Sequence, residues 1–121
     1  MEIDRFETAL ARPHGERLRA RLFTQTEIEY CERVVRSGER YAVRFAAKEA
    51  VRKAFGVIIS NEQTYISWHD IEIISLNDGA PSLNFSGQLA KLTSQYRISK
   101  AFVSLSHSNN YAIAFVILET S

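Results

Sequence analysis

The chain has 121 residues, the size of one domain, and its 45% apolar and 24% charged residues are those of a globular protein, which argues against disorder or a fibrous repeat. A formal net charge of +1 gives no sign of a nucleic-acid binder. No apolar run approaches the roughly 20 residues of a membrane span, Met1-Glu2-Ile3-Asp4-Arg5 is unlike a signal peptide, and the single cysteine, Cys31, excludes an internal disulfide, so a soluble cytoplasmic protein is expected, with no membrane or nucleic-acid partner.

The first half reads as helix. Residues 3–11 form a short helix ended by Pro13. Thr24-Gln25-Thr26-Glu27 fits a capping box and opens a second helix. Ile28, Cys31, Val34 and Val35 share one of its faces, so Cys31 reads as a packed thiol, and Ser37-Gly38 stops it. Ala42–Phe55 is the clearest helix, with Gly56 as its C-terminal stop. Val43, Ala46, Ala47, Ala50, Val51, Ala54 and Phe55 fill one side, the alanines allowing close packing on a sheet. Arg44, Lys48, Glu49, Arg52 and Lys53 fill the other.

The second half reads mostly as strand. Thr64–Trp68 and Asp70–Leu76 carry β-branched and aromatic residues. Asn77-Asp78-Gly79-Ala80-Pro81 is a turn, and Ser82–Phe85 returns as a partner strand. Gly87–Tyr96 is a helix, and Ala101–His107 and Tyr111–Leu118 form a hairpin through Ser108-Asn109-Asn110. Helices early and antiparallel strands late give an α+β domain.

Charge is uneven along the chain. Residues 1–53 hold 12 of the 15 lysines and arginines and 9 of the 14 acids. Arg5, Arg12, Arg17, Arg19 and Arg21 form an arginine-only stretch, read either as a solvated helical face or as a docking surface for an acidic partner. Glu49 and Lys53, four residues apart, suit an ion pair on a helix face. They equally suit a carboxylate holding a divalent cation beside cations that hold phosphate. No histidine stands at zinc spacing to another histidine or the cysteine. His14 falls in a loop and His69 on the surface; His107 ends an apolar strand, where it is either a hydrogen-bonded strand end or a ligand contact.

Arg44-Phe45-Ala46-Ala47-Lys48-Glu49-Ala50, running on to Lys53-Ala54-Phe55-Gly56, resembles the signature of the holo-acyl-carrier-protein synthases, the small, group I type of 4′-phosphopantetheinyl transferase. Glu2-Ile3-Asp4-Arg5-Phe6, Phe23-Thr24-x-x-Glu27, Trp68-His69-Asp70-Ile71-Glu72-Ile73, Asp78-Gly79-x-Pro81, and Ser104-Leu105-Ser106-His107 with Tyr111-Ala112 resemble further family segments in order. The resemblance implies an antiparallel sheet packed on a long helix, in trimers with sites between subunits. It implies transfer of 4′-phosphopantetheine from coenzyme A to a serine of acyl carrier protein, in fatty acid biosynthesis, with adenosine 3′,5′-bisphosphate released and Mg2+ as cofactor. By the same resemblance Glu49 binds the metal, and Glu49 and Lys53 are catalytic. Arg44, Lys48, Gly79, Pro81, Ser106 and His107 contact coenzyme A. Arg5, Arg12, Arg17 and Arg19 grip the carrier protein.

Three positions depart from the family pattern. The family's first strand carries a metal-binding aspartate in Gly-x-Asp; this sequence starts at Met1-Glu2, so residues 1–121 are expected to be a single transferase domain without that strand. A start taken at an internal methionine and a genuine loss of activity are both compatible with this. Gly56-Val57-Ile58 replaces Gly-x-Gly, and Ala80 stands where a lysine commonly precedes the proline. The competing functional reading is a homologue that binds coenzyme A or carrier protein without efficient turnover.

Overall fold

The computed structural model describes residues 1–34, 36–62, 64–75 and 79–121. Helix α1 (Ile3–Ala11) buries Ile3, Phe6 and Leu10 along one stripe. Helix α2 (Gly15–Leu22) begins against its end, where a Cβ on Gly15 would sit 1.8 Å from the Leu10 carbonyl oxygen, so only glycine fits. Helix α3 (Gln25–Arg33) starts with the expected capping box: the Thr24 hydroxyl accepts from the Glu27 amide, and Glu27 Oε1 accepts from the Thr24 amide. Cys31 is buried, as its helix face requires, and Val35 lies outside the described residues.

Helix α4 (Ser37–Ala54) is the spine of the molecule. It starts five residues earlier than the periodicity suggests, so Ser37-Gly38 opens this helix instead of merely ending α3. Arg36, at φ 64°, makes the break between the two. Nor does Gly56 act as a stop. It lacks the left-handed φ that such a cap requires and instead begins a helix unseen in the sequence pattern, α5 (Gly56–Glu62).

Residues 64–67 are not strand but irregular chain, followed by a short 3-10 turn at Trp68–Asp70. Tertiary contacts override their β propensity. Ile66 is buried and its carbonyl accepts from Arg52 Nη1 (3.4 Å), while the Trp68 ring packs 5.1 Å from that of Phe45. Strand β1 (Ile71–Ser75) pairs antiparallel with β2 (Pro81–Phe85). Leu76, Asn77 and Asp78, expected at the end of β1 and in the following turn, lie outside the described residues. Helix α6 (Gly87–Gln95) follows, then β3 (Ile98–His107) and β4 (Ala112–Thr120) form the long antiparallel hairpin. Among the described residues the architecture is therefore α+β, with two small two-stranded sheets in place of the single sheet expected.

The core divides along α4. One cluster gathers Phe6, Phe23, Cys31, Tyr41 and Val43 near its start. The other gathers Val51, Phe55, Ile66, Ile71, Ile73, Leu89 and Leu92 near its end. Val103, Leu105, Ala114, Val116 and Leu118 pack the β3–β4 hairpin onto this core. The hairpin's other face shows Phe102, Ile113, Phe115 and Ile117, each 51–64% exposed. Among the described residues no helix is long and apolar enough to cross a membrane.

Candidate active site

Glu49 and Lys53 lie one helical turn apart on α4 and line the same cavity, of about 270 Å³, with Met1, Ala46, Ala50 and residues Ala112–Ala114 of β4. Small side chains on the facing helix and strand leave this space open. The amide of Ala112 donates to the Met1 carbonyl (2.8 Å), which closes one wall. The two side chains make no ion pair with each other, so the simple i,i+4 pairing is absent, and neither pairs with another charge among the described residues. Among the described residues no three histidine, cysteine or acidic side chains cluster as a metal cage.

A second cavity, of about 230 Å³, holds Arg44, Gly79, Pro81 and His107 together with Tyr30, Arg40 and Ser75. Arg44 is 3% exposed. Its Nη2 donates to the Ser75 hydroxyl at 2.8 Å, its guanidinium lies 4.2 Å from the Tyr30 ring centre, and its Nε has no hydrogen-bond partner among the described residues. The hydrogen bond to Ser75, with the charges of Arg44 and Arg40, holds the Tyr30 phenol below its usual pKa against the opposing effect of burial. Gly79, at φ 86°, takes the left-handed turn that leads into β2. His107 Nδ1 is 2.9 Å from Glu39 Oε1. An electropositive cleft with a buried, incompletely satisfied guanidinium suits a phosphorylated ligand.

Two residues expected at coenzyme A line neither cavity. Lys48 is not on the polar face of α4 but fully buried. Its ammonium donates to Glu27 Oε1 (2.6 Å) and to the carbonyls of Ile71 (2.7 Å) and Trp68 (3.0 Å), so all three N–H groups are engaged inside the fold. Burial lowers its pKa, against the attraction of Glu27. Ser106 alternates with Leu105 and His107 along β3, so its exposed side chain points to the opposite face from that cavity.

Arg5, Arg12 and Arg17 are exposed, Arg5 within 3.8 Å of Glu2. Arg19 is half-buried and donates to the Leu10 carbonyl (3.2 Å), which ties it to the α1–α2 junction. Sequence reasoning did not single out Tyr30, Glu39, Arg40 or Ser75 for the phosphate-type cavity, or Glu27 as the partner of Lys48. Arg40 stands one turn before Arg44 and Glu27 is visible as a capping residue, but the others carry no local signal.

This fold is that of a phosphopantetheinyl transferase: the profile of the 4′-phosphopantetheinyl transferase superfamily matches residues 1–116, and the chain belongs to that family. The holo-[acyl-carrier-protein] synthase of Geobacter sulfurreducens is 44% identical over 119 residues, 98% of this chain and 91% of that protein. The enzyme of the same name from Vibrio cholerae is 43% identical over 118 residues, 98% and 90% of the two chains. Among solved structures, Helicobacter pylori holo-[acyl-carrier-protein] synthase in complex with coenzyme A superposes with a TM-score of 0.80 at 29% identity, covering 98% of this chain and 95% of that one. The Bacillus anthracis synthase gives 0.76 at 32% identity, covering 100% and 91%.

Proposed function

We infer that this chain transfers the 4′-phosphopantetheine group of coenzyme A to a serine of apo-acyl carrier protein, the reaction of a holo-[acyl-carrier-protein] synthase, and that it works in the cytoplasm. The observation that carries this is the cavity shared by Glu49 and Lys53, two opposite charges unpaired among the described residues, in a chain 44% identical to a named synthase. In the reaction the serine oxygen forms a bond to the phosphorus of the phosphopantetheine group. The bond from that phosphorus to the leaving oxygen breaks, adenosine 3′,5′-bisphosphate departs, and the serine proton is released. Lys53 places a cation where negative charge collects on the transferring phosphate. Arg44 and His107 hold the phosphates of coenzyme A.

The single carboxylate of Glu49 fits a magnesium ion, which takes few protein ligands, keeps several waters and accepts phosphate oxygens; when bound it would neutralise charge on the pyrophosphate. The Glu49 cavity and the Arg44–His107 cavity are separate within one chain. A trimer with sites shared between subunits would bring the two sets together, and the exposed Phe102, Ile113, Phe115 and Ile117 supply an apolar surface for it. Light scattering at micromolar concentration is expected to give three chains per particle, and Phe115→Asp to give one. The exposed Arg5, Arg12 and Arg17 form the docking face for the acidic carrier protein, with Arg19 bracing it from the α1–α2 junction. Binding without turnover is less favoured, since it gives no role to the free Glu49–Lys53 pair. The test is transfer of labelled phosphopantetheine to apo-carrier protein, titrated with magnesium. Absence of transfer at every magnesium concentration would reject the enzymatic reading.

A further inference from the structure

We propose that Glu39 is a positioning residue for His107: its carboxylate holds the imidazole so that Nε2 is presented to the phosphate of coenzyme A. The proposal rests on the assignment of the Arg44–His107 cavity to that substrate. Glu39 Oε1 lies 2.9 Å from His107 Nδ1, and Glu39 Oε2 lies 3.4 Å from Arg36 Nη1. A carboxylate only accepts, so Nδ1–H donates to Glu39; a phosphate oxygen also accepts, so the ring that meets it is the imidazolium, whose Nε2–H donates to the ligand. Among the described residues Nε2 has no protein partner. The histidine side chain is 41% exposed and would otherwise rotate, whereas Glu39 is 12% exposed and held from two sides.

The placement of this acid is itself informative. Arg40, Arg44 and His107 make the cavity attractive to a polyanion, and a free carboxylate beside them would repel it. Glu39 avoids this because each of its oxygens already faces a basic side chain. Glu39 also sits in the first turn of α4, where an acid favours the helix on its own account. The experiment must therefore separate a helix effect from a histidine effect.

Coenzyme A binding is measured by calorimetry, and steady-state transfer is measured beside it, for Glu39→Ala, Glu39→Gln, His107→Ala and the Glu39→Ala/His107→Ala pair. Glu39→Ala is expected to raise Kd and KM for coenzyme A about five- to ten-fold, as for one lost hydrogen bond, with kcat nearly unchanged. Glu39→Gln keeps an acceptor for Nδ1–H and is expected to restore most of the affinity. Glu39→Ala is expected to add nothing once His107 is alanine. At alkaline pH the ring-nitrogen NMR signals of His107 are expected to show Nδ1 protonated in the parent and Nε2 protonated in Glu39→Ala. Equal weakening by Glu39→Ala with and without His107 would overturn the proposal, as would an unchanged tautomer. Full coenzyme A affinity in His107→Ala would instead overturn the assignment of the cavity, and the proposal with it.

Discussion

Lys48 and Glu49 are neighbours in the chain and opposites in the structure. Lys48 turns into the core, where Glu27 and two backbone carbonyls take all three of its N–H groups. Glu27 in turn accepts from the amide of Ile73 at 2.9 Å, so a single buried acid joins α3, α4 and β1. Glu49, one residue on, turns towards an open cavity and meets no hydrogen-bond or ion-pair partner among the described residues. A charge whose every hydrogen bond is satisfied by the fold has nothing left to offer a substrate. A charge that the fold leaves unpaired at a cavity wall is the one available for chemistry.

Breaking each side of this comparison gives different signatures. Glu49→Ala is expected to reduce transfer by roughly a hundred- to thousand-fold, the scale for removing a group that stabilises transition-state charge. Its denaturation midpoint should match the parent's; a protein that retained full activity would remove Glu49 from the mechanism. Lys53→Ala should lower kcat with little change in coenzyme A affinity, the signature of the transition-state role proposed for its charge. A pure KM effect would make Lys53 a binding residue instead.

Lys48→Met leaves Glu27 buried without its counter-ion and is expected to cost about 3–5 kcal/mol in urea denaturation. Adding Glu27→Gln should recover part of that loss. A Lys48→Met protein as stable as the parent, but unable to bind coenzyme A, would return Lys48 to the binding site.

Cys31 sharpens the same contrast through pH. Burial pushes its thiol from 9.0 up to about 11, so the folded chain keeps a proton that the unfolded chain gives up. The stability this contributes is complete below about pH 9 and is lost as pH rises through 11, a difference of about 3 kcal/mol. Comparison of the parent with Cys31→Ala isolates it, because the Tyr41 phenol, pushed up by burial and by its hydrogen bond to Glu32, acts in the same direction. Parallel stability curves for the two proteins from pH 8 to 11 would contradict it. The smallest effect is expected at the surface. Arg5→Glu should raise KM for carrier protein several-fold, more at low salt, and leave coenzyme A binding intact. Salt-independent carrier kinetics would dismiss the arginine face as a docking site.

Local pattern accounts for much of the fold. The Thr24–Glu27 capping box, the 3-6-10 stripe of α1 and the alternation in β3 and β4 involve residues close in the chain, so their physics is visible in the letters. The placement of Glu49 and Lys53 side by side on α4 is legible for the same reason: one helical turn separates them. The failures also have causes. Gly56 suggests a stop because glycine favours left-handed caps, but its actual φ is not positive and the chain coils on into α5. Thr64–Trp68 has β composition, but Ile66 and Trp68 pack against α4 through Arg52 and Phe45 in place of strand pairing.

By itself the sequence determined the class of the protein, the helices α1, α3, α4 and α6 with the two hairpins, and the chemical identity of the charges on α4. Tertiary structure alone decided which of those charges are free. On a helix wheel Lys48 and Glu49 share one polar face; only the approach of Glu27 from α3 and of the Trp68 and Ile71 carbonyls draws Lys48 inside. Likewise nothing in the spacing of Glu39 and His107, 68 positions apart, announces that β3 ends beside the first turn of α4. Pairings across such distances depend on how whole elements pack, and local residue patterns do not encode them.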